Sequence, residues 1–374
     1  MKISPDPLFT PEQEVLLWTI RVDHTKDQRI GEILGLGVDW EYIRETAIQH
    51  GIIPLLYKRL KGEMAYLVPS DELSTFRTLF MANAIKNIRM EQHLLKTLDI
   101  LADSAVEAMP FKGPALAVQA YGDLSMRSFY DLDILIHDAD QSKVYQILTS
   151  QGYILTGPGW MSIERRLGIL DRKDLKFSTL NGILELHWKI IERLYAVSLD
   201  MDQIWDRSLP LLMNSRKIKT MSPEDMVIVM CFHGLKHAWQ NLEWLADLIH
   251  TISNNPDIKW HDVVVRAENI GLKRIVLIGL FLAHKHGGIR YGSDIENMFA
   301  SDASMQKLAG EIELDLFRSQ TLGIEPFFYL KSRERFKDQG FFLFYYFTNR
   351  VLVYLRWIVR HITVIRTGPD IGVG

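Results

Sequence analysis

Two carboxylates two residues apart, Asp131 and Asp133, emerge from one end of the apolar run that ends Ile134-Leu135-Ile136. Residues 131–136 have the period of a strand, whose side chains alternate faces. Both aspartates therefore point one way while Leu132 and Ile134 point into a core. Like charges on one strand face repel unless a cation sits between them. Hard oxygen ligands so placed suit Mg²⁺, which takes one or two carboxylates and fills its shell with water and phosphate oxygens. Upstream, Gly113-Pro114 reads as a turn and Ala115 to Tyr121 as one or two turns of helix, a helix start able to face phosphate. Taken alone, Asp-x-Asp is as often a solvated strand end; the apolar run behind this one sets it apart.

A third acid has similar surroundings. Asp174–Ser178 and Gly182–Trp188 read as strands joined at Asn181-Gly182, a hairpin signal. In the second strand Ile183, Glu185 and His187 share one face, and Leu184, Leu186 and Trp188 share the other. Glu185 is thus another carboxylate leaving an apolar strand. His187 either positions Glu185, contacts substrate, or is structural.

From Met221 the chain reads as helix, opened by Ser222-Pro223-Glu224-Asp225 with a capping serine, a first-position proline and acids in the first turn. Continuous helical spacing puts His233, Lys236, His237, Gln240, Trp244 and Asp247 on one face, and Leu235, Leu242, Leu245, Ala246 and Ile249 on the other. Such a polar face suits a nucleotide wall, with Lys236 and a histidine on phosphates and Trp244 or Trp239 against a ring; the competing reading is a packing helix. The spacing of His233 and His237 invites zinc, but Gly234 stands where a metalloprotease needs glutamate, so zinc is not expected.

These residues carry a resemblance. Phe111-Lys112-Gly113-Pro114-Ala115-Leu116, Arg127 and Tyr130-Asp131-Leu132-Asp133-Ile134-Leu135 resemble the DNA polymerase beta-type nucleotidyltransferase superfamily. They are most similar to a poorly characterised bacterial nucleotidyltransferase family with "KG-x-AL" and "R-x-x-x-D-x-D-x-L" patterns. Ile183-Leu184-Glu185-Leu186-His187-Trp188 matches the family's "V-E/D-L-H-W", and His233 through Asp247 resembles its "H-G-x-K-H-x-W-x-x-L-x-W-L-x-D". Lys112-Gly113-Pro114 replaces the superfamily's usual Gly-Gly or Gly-Ser, so Lys112, Ser125 or Arg127 are the candidates to replace a missing phosphate-binding serine.

The resemblance implies an α+β protein, with a small mixed-sheet nucleotidyltransferase core at 106–215 between helical regions at 1–105 and 216–374. It implies Asp131, Asp133 and Glu185 as catalytic metal ligands for Mg²⁺, with Mn²⁺ as the alternative ion. A nucleoside triphosphate would be the donor, held by Lys112, Gly113, Ser125, Arg127, His233, Lys236, His237, Trp244 and Asp247. The expected reaction moves a nucleoside monophosphate to a small-molecule, sugar-phosphate or peptide acceptor and releases pyrophosphate. Some family members sit in lasso-peptide or surface-polysaccharide gene clusters, which is the source of the acceptor expectations. Transfer of another phosphate-linked group such as a sugar, or a non-catalytic nucleotide-binding module, are the alternatives.

Composition narrows the class. A 47% hydrophobic and 24% charged chain with net charge −3 is ordinary for a globular protein and offers no basic track for a nucleic-acid template. The single cysteine, Cys231, fits a reducing cytoplasm, and neither a signal peptide nor a transmembrane span is expected. In the first region, Thr10 and Asp39 read as helix caps, His50 as a helix-end residue contacting free carbonyls, and Asp71 to Leu101 as one long packing helix. The tail from Phe341 to Ile365 reads as a helix folded back on the body, its arginines arguing against a membrane span.

Overall fold

The computed structural model describes residues 8–156, 173–179, 182–318, 326–348 and 351. Among the described residues seven strands form two sheets: β1 (Ala108–Pro110), β2 (Asp131–Ile136), β3 (Ile154–Thr156), β4 (Asp174–Thr179), β5 (Gly182–His187), β6 (Leu209–Met213) and β7 (Arg216–Thr220). The larger has the order β1-β2-β5-β4-β3, and β6-β7 is a separate hairpin. Only β2 and β5 pair in parallel; the other neighbours in the larger sheet are antiparallel. It is the small mixed sheet expected of an α+β fold. The hairpin tip at 180–181 and the break at 157–159 lie outside the described residues.

The alternation that marked the strands has a packing consequence. Leu132, Ile134, Leu175, Phe177, Leu184 and Leu186 are buried in one core, together with Met90, Leu94 and Leu95 of helix α1 (Ser70–Asp103) and Val144 and Leu148 of helix α2 (Gln141–Ser150). The opposite side of the same strands carries the charged residues. A second core joins Phe9 through Phe76 to the helices after Met221, so the N-terminal and C-terminal helices pack together.

Local chemistry sets the helix ends. Thr10 closes a capping box with Gln13, Asp39 accepts from Tyr42 N–H, and Ser222 accepts from Asp225 N–H. His50 differs from expectation: its Nδ1 accepts the Leu242 backbone N–H at 3.1 Å. Burial pushes its pKa down to about 4, so the ring is neutral and serves as an acceptor. In the tail, residues 336–348 are helical and Phe342 is buried against Tyr329, while Phe344 and Phe347 are exposed. The rest of the tail lies outside the described residues. No helix among the described residues is long and apolar enough to cross a membrane.

Candidate active site

Parallel pairing places Asp133 opposite Glu185, and Leu135 opposite His187. Antiparallel pairing then places Lys176 opposite Glu185 and Asp174 opposite His187. One sheet face therefore carries Asp131, Asp133, Glu185, His187, Asp174 and Lys176. Ligand atoms of Asp133, Glu185 and His187 all lie within 4.8 Å of one another, a group able to hold a metal ion. His187 Nε2 is 3.0 Å from Asp133 Oδ1 and 3.6 Å from Glu185 Oε2. Glu185 also accepts a hydrogen bond from Lys176 Nζ.

Burial alone would raise the Asp133 carboxyl; the Lys112 ammonium and the His187 hydrogen bond reverse this and hold it below the usual carboxylate range. An ionised carboxylate can only accept, so His187 Nε2 carries the proton of that bond. Asp131 stands outside the three-residue cluster, and its carboxyl is pushed up by burial and then by the charges of Asp133 and Glu185. A cation would relieve that repulsion. The clustered donors, two carboxylates and an imidazole, fit a divalent ion, and Asp131 on the same sheet face offers further oxygens beside them.

Beside Asp131 starts helix α3 (Gly113–Tyr121), with Lys112 as its N-cap residue, Pro114 in its first turn and no side-chain cap. Gly113 has φ +54°, and a Cβ there would lie 3.0 Å from the Asp131 carbonyl oxygen. Glycine is needed at this crossing because it tolerates both the left-handed backbone and the close approach. No side chain caps this helix start, the end of a helix that favours an anion.

The downstream wall corrects a sequence reading. The expected continuous helix is two: α4 (Pro223–Lys236) and α5 (Leu242–Ser253), separated by Ala238 and Trp239 at φ +47° and +53°. Trp239 turns back so that its N–H donates to Gly234 O at 2.7 Å, and its fully buried indole packs where a Gly234 side chain would be. Trp239 is therefore a core residue. The break still gathers His233, His237 and Trp244, with ring centroids 4.8–5.2 Å apart. Burial, then the neighbouring positive charges, lowers both histidines, His237 to about 4, so both are neutral at pH 7.

The other expected binding residues have partners of their own. Lys236 Nζ is 3.0 Å from Glu192 Oε1 and lies over the Tyr195 ring. Arg127 Nε donates to both oxygens of buried Asp247, at 2.9 and 3.0 Å, and its Nη2 is 3.4 Å from Glu243 Oε1. Asp247 also accepts from Tyr121 Oη at 2.8 Å. Ser125 donates through its backbone N–H at 2.9 Å and its Oγ at 2.7 Å to Asp123, which caps the local turn; Ser128 is a serine of the cleft wall. Lys112, Arg127, Asp131, Asp133, His233 and Trp244 line one cleft.

Sequence reasoning passed over Glu243, Lys86 and Lys176. Burial pushes Glu243 up to about 8 despite Arg127 nearby, because Asp247 already matches the guanidinium charge. Lys86 reads from sequence as one polar residue on a packing helix, and Lys176 as a solvated strand position; only the pairing of distant elements reveals them.

A lincosamide antibiotic adenylyltransferase, LnuA, bound to lincomycin is 20% identical over 44% of this chain and 96% of its own, with TM-score 0.32. The antibiotic-resistance factor ANT(2'')-Ia is 10% identical over 60% and 97%, with TM-score 0.31. An antigenic nucleotidyltransferase-like protein from Paracoccidioides brasiliensis is 16% identical over 60% and 93%, with TM-score 0.31. No curated protein matches the chain. The model of a family described as uncharacterised nucleotidyltransferase matches residues 37–288, which hold every carboxylate and cleft residue above. The chain belongs to that nucleotidyltransferase family, and it is an enzyme of the nucleotidyltransferase class.

Proposed function

We propose that the protein transfers a nucleoside monophosphate from a nucleoside triphosphate to a small-molecule acceptor, releasing pyrophosphate, with Asp131, Asp133 and Glu185 as the ligands of Mg²⁺, or of Mn²⁺ in its place. The observation that carries this reading is the convergence of Asp133, Glu185 and His187 on one sheet face, beside Asp131 and the uncapped start of α3. When bound, the metal ions would neutralise charge on the triphosphate and activate the attacking oxygen.

The chain's own residues do the rest. His187 holds the Asp133 carboxylate in one orientation and keeps it charged. Gly113 brings the helix start against Asp131, where it favours phosphate, and Lys112 adds a positive charge beside it. Trp244, packed edge-on to His233 on the cleft wall, offers a surface for the base. Arg127, locked by Asp247, holds the loop before β2 in place, and Lys236 reaches phosphate only by leaving Glu192.

We take residues 106–215 as the catalytic core, and the acceptor as a small molecule, sugar phosphate or peptide used without a nucleic-acid template. Incubation with each of the four triphosphates and Mg²⁺, following pyrophosphate, tests the donor half. Release from at least one triphosphate is expected; release from none with a folded, metal-binding protein would favour a non-catalytic nucleotide-binding module.

A further inference from the structure

One buried ammonium lies behind the aromatic wall of the cleft. Lys86 lies on α1, between Asn83 and Asn87. Those asparagines fix the helix to the loop before β2: Asn83 Nδ2 donates to the carbonyls of Ser125 and Arg127, each at 3.1 Å, and Asn87 Nδ2 to those of Leu124 and Arg127 at 2.7 and 2.8 Å. The Lys86 ammonium is held 3.8 Å from the centre of the Tyr130 ring and 5.4 Å from that of Phe129. Both rings line the cleft. Lys86 Nζ is buried and makes no hydrogen bond, which sets it apart from the other lysines among the described residues.

An ammonium has three N–H donors, and aromatic faces attract its charge without accepting hydrogen bonds as an anion would. The Lys86 charge is felt against Glu243, Arg127 and Asp131; Lys112 acts on Asp131 as well, and on Asp133, His233, Lys236 and His237. The two ammoniums therefore share Asp131, with Lys86 on the side of Glu243 and Lys112 on the side of Asp133 and the histidines. Phosphoryl transfer runs in line, with the attacking and leaving oxygens on opposite sides of the phosphorus. Lys112 lies at the α3 start, where the transferase reading puts the triphosphate.

Building on the transferase reading above, we propose that Lys86 binds the acceptor and that the acceptor is a small molecule bearing a phosphate group, whose ionised oxygen is the nucleophile. That oxygen forms a bond to the α-phosphorus as the bond from the α-phosphorus to the α–β bridging oxygen breaks. The bridging oxygen leaves with its electron pair on pyrophosphate. No proton has to be removed from an ionised phosphate. That suits a site in which Asp133 is already bonded by His187 and Glu185 by Lys176.

The test is calorimetric titration with inorganic phosphate as the probe, after the triphosphate site has been filled with Mg²⁺ and the tightest-binding α,β-methylene nucleoside triphosphate. The full-length protein should bind phosphate under these conditions. Lys86→Met, which keeps the aliphatic stem, should lose about ten-fold or more in phosphate affinity with analogue affinity unchanged, and Lys86→Arg should stay within about three-fold. Unchanged phosphate binding in Lys86→Met, no phosphate binding by the unsubstituted protein, or a matching loss of analogue affinity would each overturn the proposal. Failure of the transferase reading itself looks different: no triphosphate analogue binds the unsubstituted protein, and phosphate titration of the analogue-free protein and Lys86→Met then decides for or against the anion site alone.

Discussion

His187 Nε2 donates to Asp133 Oδ1 across 3.0 Å, between two side chains that are both buried. The bond links neighbouring parallel strands whose sequences are far apart, and it fixes the one fully buried carboxylate among Asp131, Asp133 and Glu185. Removing the donor leaves a buried charge with nothing to orient it. His187→Ala should weaken Mn²⁺ binding, followed by paramagnetic resonance, by about ten- to a hundred-fold. Unchanged affinity would reduce His187 to a packing residue.

Lys176 and a metal ion compete for Glu185, because the ammonium already donates to that carboxylate. Lys176→Met should therefore raise metal affinity. The pair is partly solvent-exposed, so the gain is modest, about two- to five-fold. Equal affinity in the two proteins would count against Glu185 as a ligand.

Glu243 gives the molecule a specific pH dependence. Its folded carboxyl titrates at about 8 because of burial, well above the ordinary value of 4.5. Between those two values the unfolded chain has lost this proton while the folded protein keeps it, so this group makes stability fall as pH rises. Glu243→Gln removes the titration. Thermal melts should show the variant gaining on the unsubstituted protein from about pH 5 to pH 8 and levelling off above. A difference that is flat with pH would mean that Glu243 is ionised in the fold.

Gly113→Ala tests the crossing of α3 and β2. A left-handed alanine costs about 1–2 kcal/mol, and its Cβ would lie 3.0 Å from the Asp131 carbonyl. Urea denaturation should show a loss of at least that size together with weaker transfer. An unchanged midpoint would contradict the geometry.

The strands and the shared face of the polar residues were legible because two-residue alternation directly separates Asp131, Asp133, Glu185 and His187 from their apolar neighbours. The strand β2 runs over the expected residues, 131–136. What alternation cannot supply is the partner. The parallel pairing of β2 with β5, the Lys176–Glu185 contact and the Arg127–Asp247 lock all join residues distant in sequence. The break after Lys236 was hidden for a different reason. Ala238 and Trp239 adopt left-handed backbone without a glycine or proline to announce it, held there by burial of the indole against Gly234. Asn241, a residue type favoured ahead of helices, was the one local sign of a new start.

The proposed reaction is a metal-dependent gain of a nucleoside monophosphate by an acceptor. It is tested most directly by mass analysis of candidate phosphorylated and hydroxyl acceptors after incubation with Mg²⁺ and the preferred triphosphate. One acceptor should gain a single nucleoside monophosphate, matched mole for mole by pyrophosphate. The Asp131→Asn, Asp133→Asn double variant should keep its fold and less than about a tenth of this activity. A hexose gain, no gain on any acceptor, or full transfer by the double variant would contradict the account.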